Sequence, residues 1–233
     1  RRRLVAVGVL AAALAALYSF AQYRGYDPWI PKALYHIGEG EWQIVRPPAT
    51  LGYVSYFAAF VLPALFGAAG LALSSERVVG RLAWGGAAAV IAVALMISGS
   101  RGAWLGAAAG TAVLLAGARR RRALLAGLLA LTALAAVFVG SPAGQPVRSR
   151  IRWFVEDPTG GARFPLWRDS LRMAAAHPLL GAGLDTFSLS FLRFQSLELA
   201  QRVPDNQAES AHNIFLDYLT EAGLSAAMLF ALL

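Results

Sequence analysis

Six apolar stretches run along the chain, at 4–20, 50–73, 80–97, 102–117, 123–140 and 211–233. A hydrocarbon core about 30 Å thick takes about 20 helical residues, with about 17 as a practical minimum, so the stretches predict membrane-crossing helices that are long enough or nearly so. Two kinds of loop alternate between them. One kind is short and basic: Arg1-Arg2-Arg3, then Ser74-Ser75-Glu76-Arg77 with Arg81, then Arg119 to Arg122. The other is long, mixed in charge and rich in Trp, Pro and Gly, at 21–49 and 141–210. Basic loops stay in the cytoplasm. That sends the long loops outside, together with the turn Ser98-Gly99-Ser100-Arg101 and the start of the last stretch at His212. The polar residues gather on that outer side.

The fold class this predicts is all-α: a multi-pass transmembrane helical bundle with a helical periplasmic loop. Three parts are expected. Residues 1–140 carry helices, short cytoplasmic loops and the aromatic-rich outer loop 21–49; 141–210 form the large outer loop; 211–233 form a final, truncated transmembrane helix. A start at Arg1 without Met and an end in mid-helix at Leu233 are what an excerpt of a longer protein would show. In the large loop, Pro165 opens a predicted helix to about Ala176, with Trp167, Leu171 and Ala174 on its apolar face and Arg168, Asp169 and Arg172 elsewhere. Pro178 ends it, and Gly181 and Gly183 allow a tight turn. Asp185 is then the expected cap of a second helix bearing Phe187, Phe191 and Phe194 on one face. In the first outer loop, Tyr23, Tyr26, Trp29, Tyr35 and Trp42 read either as an interfacial aromatic belt or as platforms for sugar rings. Small residues at Gly85-Gly86 and Gly106 to Gly110 suit close helix packing in lipid.

Composition agrees: 58% hydrophobic residues and a mean hydropathy of +0.54 exclude an ordinary soluble domain. The net charge of +8 is already accounted for by the basic loops, which hold nine Arg against one Glu. The charge therefore reports membrane orientation, and nucleic acid is not an expected partner. With no Cys and three His, none paired at ligand spacing, no disulfide framework, metal site or cofactor is expected.

Two residues stand out chemically. Arg101 follows Ser98-Gly99-Ser100 at the mouth of a helix, where free N–H groups and the dipole favour an anion and a guanidinium adds a bidentate fork for phosphate. An interfacial arginine reaching for water is the plainer reading, although Arg101 lies against the positive-inside bias. His212 follows Ser210, the expected cap of the last helix, which places His212 and Asn213 in its first turn, a setting suited to proton acceptance. A polar residue satisfied at a helix end is the plainer reading there. His177 reads as a C-terminal cap. Of Arg163 and Arg168, which flank Trp167, one is expected to face a cleft and the other the surface.

Taken in order, three stretches resemble the bacterial O-antigen ligase and polymerase superfamily, which also includes protein O-oligosaccharyltransferases. They are Ile97-Ser98-Gly99-Ser100-Arg101-Gly102-Ala103-Trp104; Arg163-Phe164-Pro165-Leu166-Trp167 continuing to His177-Pro178-Leu179-Leu180-Gly181-Ala182-Gly183; and Ala211-His212-Asn213-Ile214-Phe215-Leu216 with Glu221-Ala222-Gly223-Leu224. The resemblance runs from about Arg46 to the end. It implies a metal-independent membrane glycosyltransferase that moves a glycan from an undecaprenyl diphosphate carrier to an acceptor hydroxyl. The acceptor would be a glycan, lipid A core or a protein, at the periplasmic face of a bacterial inner membrane. It further implies that Arg101 and Arg163 hold the diphosphate and that His212 sits at the scissile carbon. Arg46 is a third candidate cation, and Asn213 and Trp167 are candidate substrate-binding residues. One segment departs from the pattern: Tyr53-Val54-Ser55 stands where the superfamily has Asn-Pro-Asn, after Ala49-Thr50-Leu51-Gly52 where it has Gly-Thr-Leu-Gly. The rival reading is a polysaccharide or lipid-linked glycan transporter, which would show charged or Gly/Pro-broken span centres.

Overall fold

A computed structural model of the chain describes residues 1–38, 43–117, 121–156, 162–204 and 207–232. It divides into two compact units, Arg1–Arg152 and Trp153–Leu233.

In the first unit, helices α1 (Arg2–Tyr23), α2 (Val54–Leu73) and α3 (Val78–Ile97) share a seam of Val9, Ala12, Ala16, Phe57, Val61, Ala68, Ile91 and Ala94. Alanines at these positions let backbones approach, which is how helices associate where lipid removes the hydrophobic drive. Helix α4 (Arg101–Gly117) uses glycine for the same purpose: a Cβ on Gly106 would meet Leu62, and one on Gly110 would strike the ring of Phe66. Gly85 and Gly86, of the same predicted kind, instead face open space. Leu4, Val7, Leu10, Leu14 and Leu17 of α1 stay exposed, as side chains bathed in hydrocarbon do.

Helix α5 (Arg121–Gly140) passes through a 3₁₀ turn at Pro142–Gly144 into α6 (Gln145–Glu156). The segments Leu124–Gly140 and Pro142–Trp153 bend by 92°. Ser141 closes the bend by donating to Phe138 O at 2.6 Å, and Arg148 donates to Ser141 O at 2.7 Å and to Val139 O. The last carbonyls of α5 are thereby satisfied.

All six predicted stretches are helical. Four helices are long and apolar enough to cross a membrane, or five if the bent pair is counted as one, among the described residues. The predicted stretch 102–117 forms α4, whose 17 described residues rise about 25 Å and stand at the practical minimum of about 17 for a span.

The loop between α1 and α2 forms a small antiparallel ribbon of β1 (His36–Ile37) and β2 (Ile44–Val45), with His36 opposite Val45 and Ile37 opposite Ile44. Strands of two residues leave no alternation for a sequence pattern to reveal. Buried Gln22 anchors the loop to α1: its amide donates to Asp27 at 2.6 Å and to Ala49 O at 3.3 Å, and Ala49 N–H returns a bond at 2.7 Å. This clamp holds Ala49 at φ 51°, a left-handed conformation that glycine adopts more readily. Burial raises the Asp27 carboxyl, but donors from Ile30, Tyr18, Trp29 and Gln22 outweigh it and hold its pKa at about 2. Of the aromatic cluster, Tyr26 and Trp29 are exposed, whereas Tyr35 is buried and belongs to neither predicted role. Trp42 lies outside the described residues.

In the second unit, helices α7 (Arg163–Ala176), α8 (Phe187–Ser190), α9 (Leu197–Arg202) and α10 (Ile214–Leu232) surround a core of Leu166, Met173, Phe187, Phe191, Leu199 and Ala211. Pro165 is the third residue of α7 rather than its first, and the buried face is Leu166, Asp169, Ser170, Met173 and Ala174, with Leu171 exposed. Asp169 is drawn inside because it pairs with Arg172 at 3.2 Å and Arg168 at 3.4 Å and accepts Ser196 N–H at 2.9 Å. The predicted second helix shrinks to the single turn α8 and a 3₁₀ turn at Phe191–Arg193. Asp185, at φ 57°, does not cap it; Thr186 occupies the position before it. The phenylalanine face survives nonetheless, with Phe187 and Phe191 stacked at 4.8 Å.

Helix α10 is broken at Gly223, which takes φ 79° and ψ −176°. The loop after α7 fills the break: Ala182 N–H donates to Thr220 O at 2.8 Å, Gly183 N–H to Glu221 O at 3.0 Å, and Leu224 N–H to Pro178 O at 2.8 Å. Glycine is required on both sides, because a Cβ on Gly181 would overlap the backbone of Glu221 and one on Gly223 the backbone of Leu179. Gly181→Ala and Gly223→Ala should each cost about 2–4 kcal/mol through strain and clash. Gly8→Ala, whose Cβ meets nothing within 4 Å, should be neutral or stabilise by up to about 1 kcal/mol. Thermal unfolding of the detergent-purified variants measures the difference.

Candidate functional site

In the first unit the polar centre is the turn between α3 and α4. Ser98 ends α3, Gly99 turns the chain at φ 61°, and Arg101 begins α4. Two donors hold Leu95 O, the Ser98 hydroxyl at 2.7 Å and the Trp104 indole at 3.1 Å. The next carbonyls recruit arginines: Arg46 Nε donates to Ser98 O at 3.4 Å and Arg150 Nε to Gly99 O at 3.2 Å. Arg46 is thus brought to the turn that precedes Arg101. Arg150, which is buried, was not among the predicted residues. Its signal lay in Arg148, Arg150 and Arg152, three arginines in five residues of a loop that the predicted topology places outside and would leave poor in them. Positive charge around a helix start suits a phosphate-bearing ligand.

The same unit contains an apolar cavity of about 910 Å³. Its walls include Leu65, Phe66, Met96 and Leu128, with Trp104, one turn past Arg101, and Ile151, next to Arg150. A hydrocarbon-lined space beside cations matches a ligand with a greasy tail and an anionic head.

In the second unit the centre is the 210–213 turn. The predicted cap Ser210 does not cap α10; α10 starts at Ile214, and Asn213 caps it by accepting Phe215 N–H at 3.1 Å. His212 therefore lies outside the helix rather than in its first turn, exposed and at φ 52°. A left-handed conformation costs a non-glycine residue about 1–2 kcal/mol, so something must hold it. Ser210 Oγ accepts His212 N–H at 3.1 Å and lies 3.2 Å from the imidazole Nδ1. Buried Ala211 is fixed on both faces of its backbone: Asp217 accepts its N–H at 2.7 Å, and the Trp167 indole donates to its carbonyl at 3.0 Å.

Arg163 is exposed at the start of α7, one turn before Trp167 on the same face. Among the described residues it makes no ion pair, whereas Arg168 is tied to Glu198 at 3.0 Å, to Asp169 and to Ser196. Arg168 is the structural member of that pair. His177 takes the C-cap position of α7, as its sequence context predicts. No group of three or more His, Asp or Glu positioned to hold a metal ion occurs among the described residues.

Apolar helices, arginines at a helix start and an exposed histidine beyond another helix define a polytopic membrane protein with polar chemistry at its helix ends. The O-antigen ligase family matches residues 86–231, more than half of the chain, and the protein belongs to that family. The match contains Arg101, Arg163, Trp167, His212 and Asn213; Arg46 and the divergent Tyr53-Val54-Ser55 lie outside it, so the resemblance starting near Arg46 is longer than the match. The family carries ligase- or polymerase-type glycosyl transfer in membranes. No curated protein and no solved structure matches the chain.

The cap assignment for Asn213 separates a structural from a substrate-binding role. Asn213→Ala should lower stability by about 1 kcal/mol, while Asn213→Asp, which keeps a capping oxygen, should hold it. Thermal unfolding reads both.

Proposed function

We propose that this protein transfers a glycan from undecaprenyl diphosphate to an acceptor hydroxyl on the periplasmic face of the bacterial inner membrane, without a metal ion. The observation that carries this reading is the exposed His212, held in an unfavourable backbone conformation by hydrogen bonds on either side. Strain maintained under an exposed imidazole supports its reading as a placed functional group. In the tautomer whose Nδ1–H donates to Ser210, Nε2 presents its lone pair to an incoming hydroxyl.

The acceptor oxygen attacks the anomeric carbon as its proton passes to His212 Nε2. The bond from that carbon to the diphosphate oxygen breaks, and the carrier diphosphate leaves with the electron pair. Negative charge grows on the leaving group, so fixed cations lower the barrier most. Arg101 and Arg163 take that role, with Arg46 as an accessory cation. The apolar cavity near Arg101 and Arg150 suits the polyprenyl tail. Asn213 and Trp167 contribute to the substrate site as neighbours of His212 and Arg163.

The transport alternative draws on one specific feature, the break of α10 at Gly223. Broken spans in transporters leave backbone carbonyls to coordinate an ion. Here Thr220 O and Glu221 O are occupied by Ala182 and Gly183 N–H groups, which favours the transferase.

Transfer from a lipid-diphosphate-linked oligosaccharide, measured with the protein in membranes at matched expression, tests the proposal. His212→Ala should cut the rate by about 10²–10⁴-fold and Arg101→Ala by about 10²-fold, with EDTA leaving wild type unchanged. Undiminished transfer in both variants would overturn the site. Loss of wild-type activity in EDTA, restored by a divalent cation, would overturn the metal-free mechanism.

A further inference from the structure

We infer that Trp167 and Asp217 are positioning residues, which hold the Ala211 peptide groups between them so that His212 presents its imidazole outward. The inference rests on the transferase reading of His212 and deepens it.

Neither side chain is explained by packing alone. Trp167 is half-exposed, yet its indole N–H reaches across to Ala211 O at 3.0 Å. Asp217 lies in the first turn of α10, where a carboxylate is welcome, but it does not bond its own helix end. Its Oδ1 reaches back to Ala211 N–H at 2.7 Å. Both peptide groups flanking the Ala211 Cα are therefore fixed, one by each side chain. Ala211 itself is fully buried, so the residue before His212 has no freedom to move. The chain leaves this clamp directly into the φ 52° conformation of His212, and Asn213 caps α10 immediately after. Both ends of the His212 backbone are anchored, while the residue itself is exposed.

The clamp also connects the two motifs of this unit. Arg163 and Trp167 share one face of α7, so the helix that presents the arginine also grips the segment that presents the histidine. Rotation or slippage of α7 would move both groups together. A base needs hydrogen-bond reach to its proton, and a displacement near 1 Å costs about a hundredfold in rate. Loss of either clamp bond should therefore appear in turnover and not in donor affinity.

The test measures transfer kinetics for wild type, His212→Ala, Trp167→Phe, Asp217→Ala and Asp217→Asn, with the protein in membranes and a lipid-diphosphate-linked oligosaccharide as donor. Trp167→Phe keeps the ring and removes the N–H. Asp217→Ala removes the acceptor, and Asp217→Asn keeps an acceptor oxygen. Trp167→Phe and Asp217→Ala should each lower kcat about ten- to a hundredfold with donor KM almost unmoved. Asp217→Asn should recover most of what alanine loses. An Asn variant as poor as the Ala variant would overturn the clamp, because the acceptor would then not be what matters. Unchanged kcat in Asp217→Ala and Trp167→Phe, with His212→Ala inactive, would also overturn it while leaving the transferase reading intact. Full activity in His212→Ala would instead overturn the catalytic reading on which the clamp rests. If Trp167→Phe fails to fold, the Asp217 pair decides alone.

Discussion

In hydrocarbon no water is present to bond a bare N–H or C=O, so a membrane chain must satisfy its backbone from within. The features of this structure follow from that constraint wherever a helix stops. The end of α3 draws Arg46 and Arg150 onto the carbonyls of Ser98 and Gly99. At the end of α5, Ser141 and Arg148 do the same work. Where α10 breaks at Gly223, the 178–183 loop supplies the missing partners in both directions. At its start, Asn213 caps the helix while Asp217 and Trp167 hold the residue before His212. Polar side chains are admitted at helix ends because the ends need them.

Catalysis can use the same places. A helix start gathers N–H groups and positive potential, and an arginine added there makes an anion site from parts already required for folding. A turn forced outside the helix presents a side chain without burying it. In the proposed site Arg101 and His212 are the two cases, and each sits in a motif whose remaining residues are explained by the backbone. Gly99 permits the turn, Trp104 and Ser98 hold Leu95 O, and Ala211 fits where Trp167 and Asp217 meet its peptide groups. Within the family the chemistry is glycosyl transfer, and the structural cost of its site is shared with the fold.

What was legible in the sequence was what depends on local pattern. Hydropathy marks the long helices, and short motifs mark Arg101, Arg163 and His212. The turn glycines Gly181 and Gly183 are legible because their positive φ angles, 70° and 118°, leave a residue type behind. The rest depended on distant partners. Asp169 looks like a surface residue of an amphipathic helix until Arg168, Arg172 and Ser196 are seen around it. Ser210 and Asn213 are both good caps, and only the Phe215 N–H bond to the Asn213 side chain shows which of them α10 uses. Arg150 reads as one arginine among several until Gly99 O is found beside it. The break at Gly223 lies inside a stretch whose hydropathy is continuous, and the 178–183 segment that makes it possible is some forty residues away in sequence.

The most direct measurement concerns the side of the membrane on which the polar helix ends lie. The chain has no cysteine, so single cysteines placed at exposed Tyr26, Glu209 and Glu76 are unique labels. In intact cells, a membrane-impermeant maleimide should label Tyr26→Cys and Glu209→Cys, and should reach Glu76→Cys only after the membrane is opened. Labelling of Glu76→Cys in intact cells, with Tyr26→Cys and Glu209→Cys protected, would reverse the orientation and contradict an outward-facing transfer site.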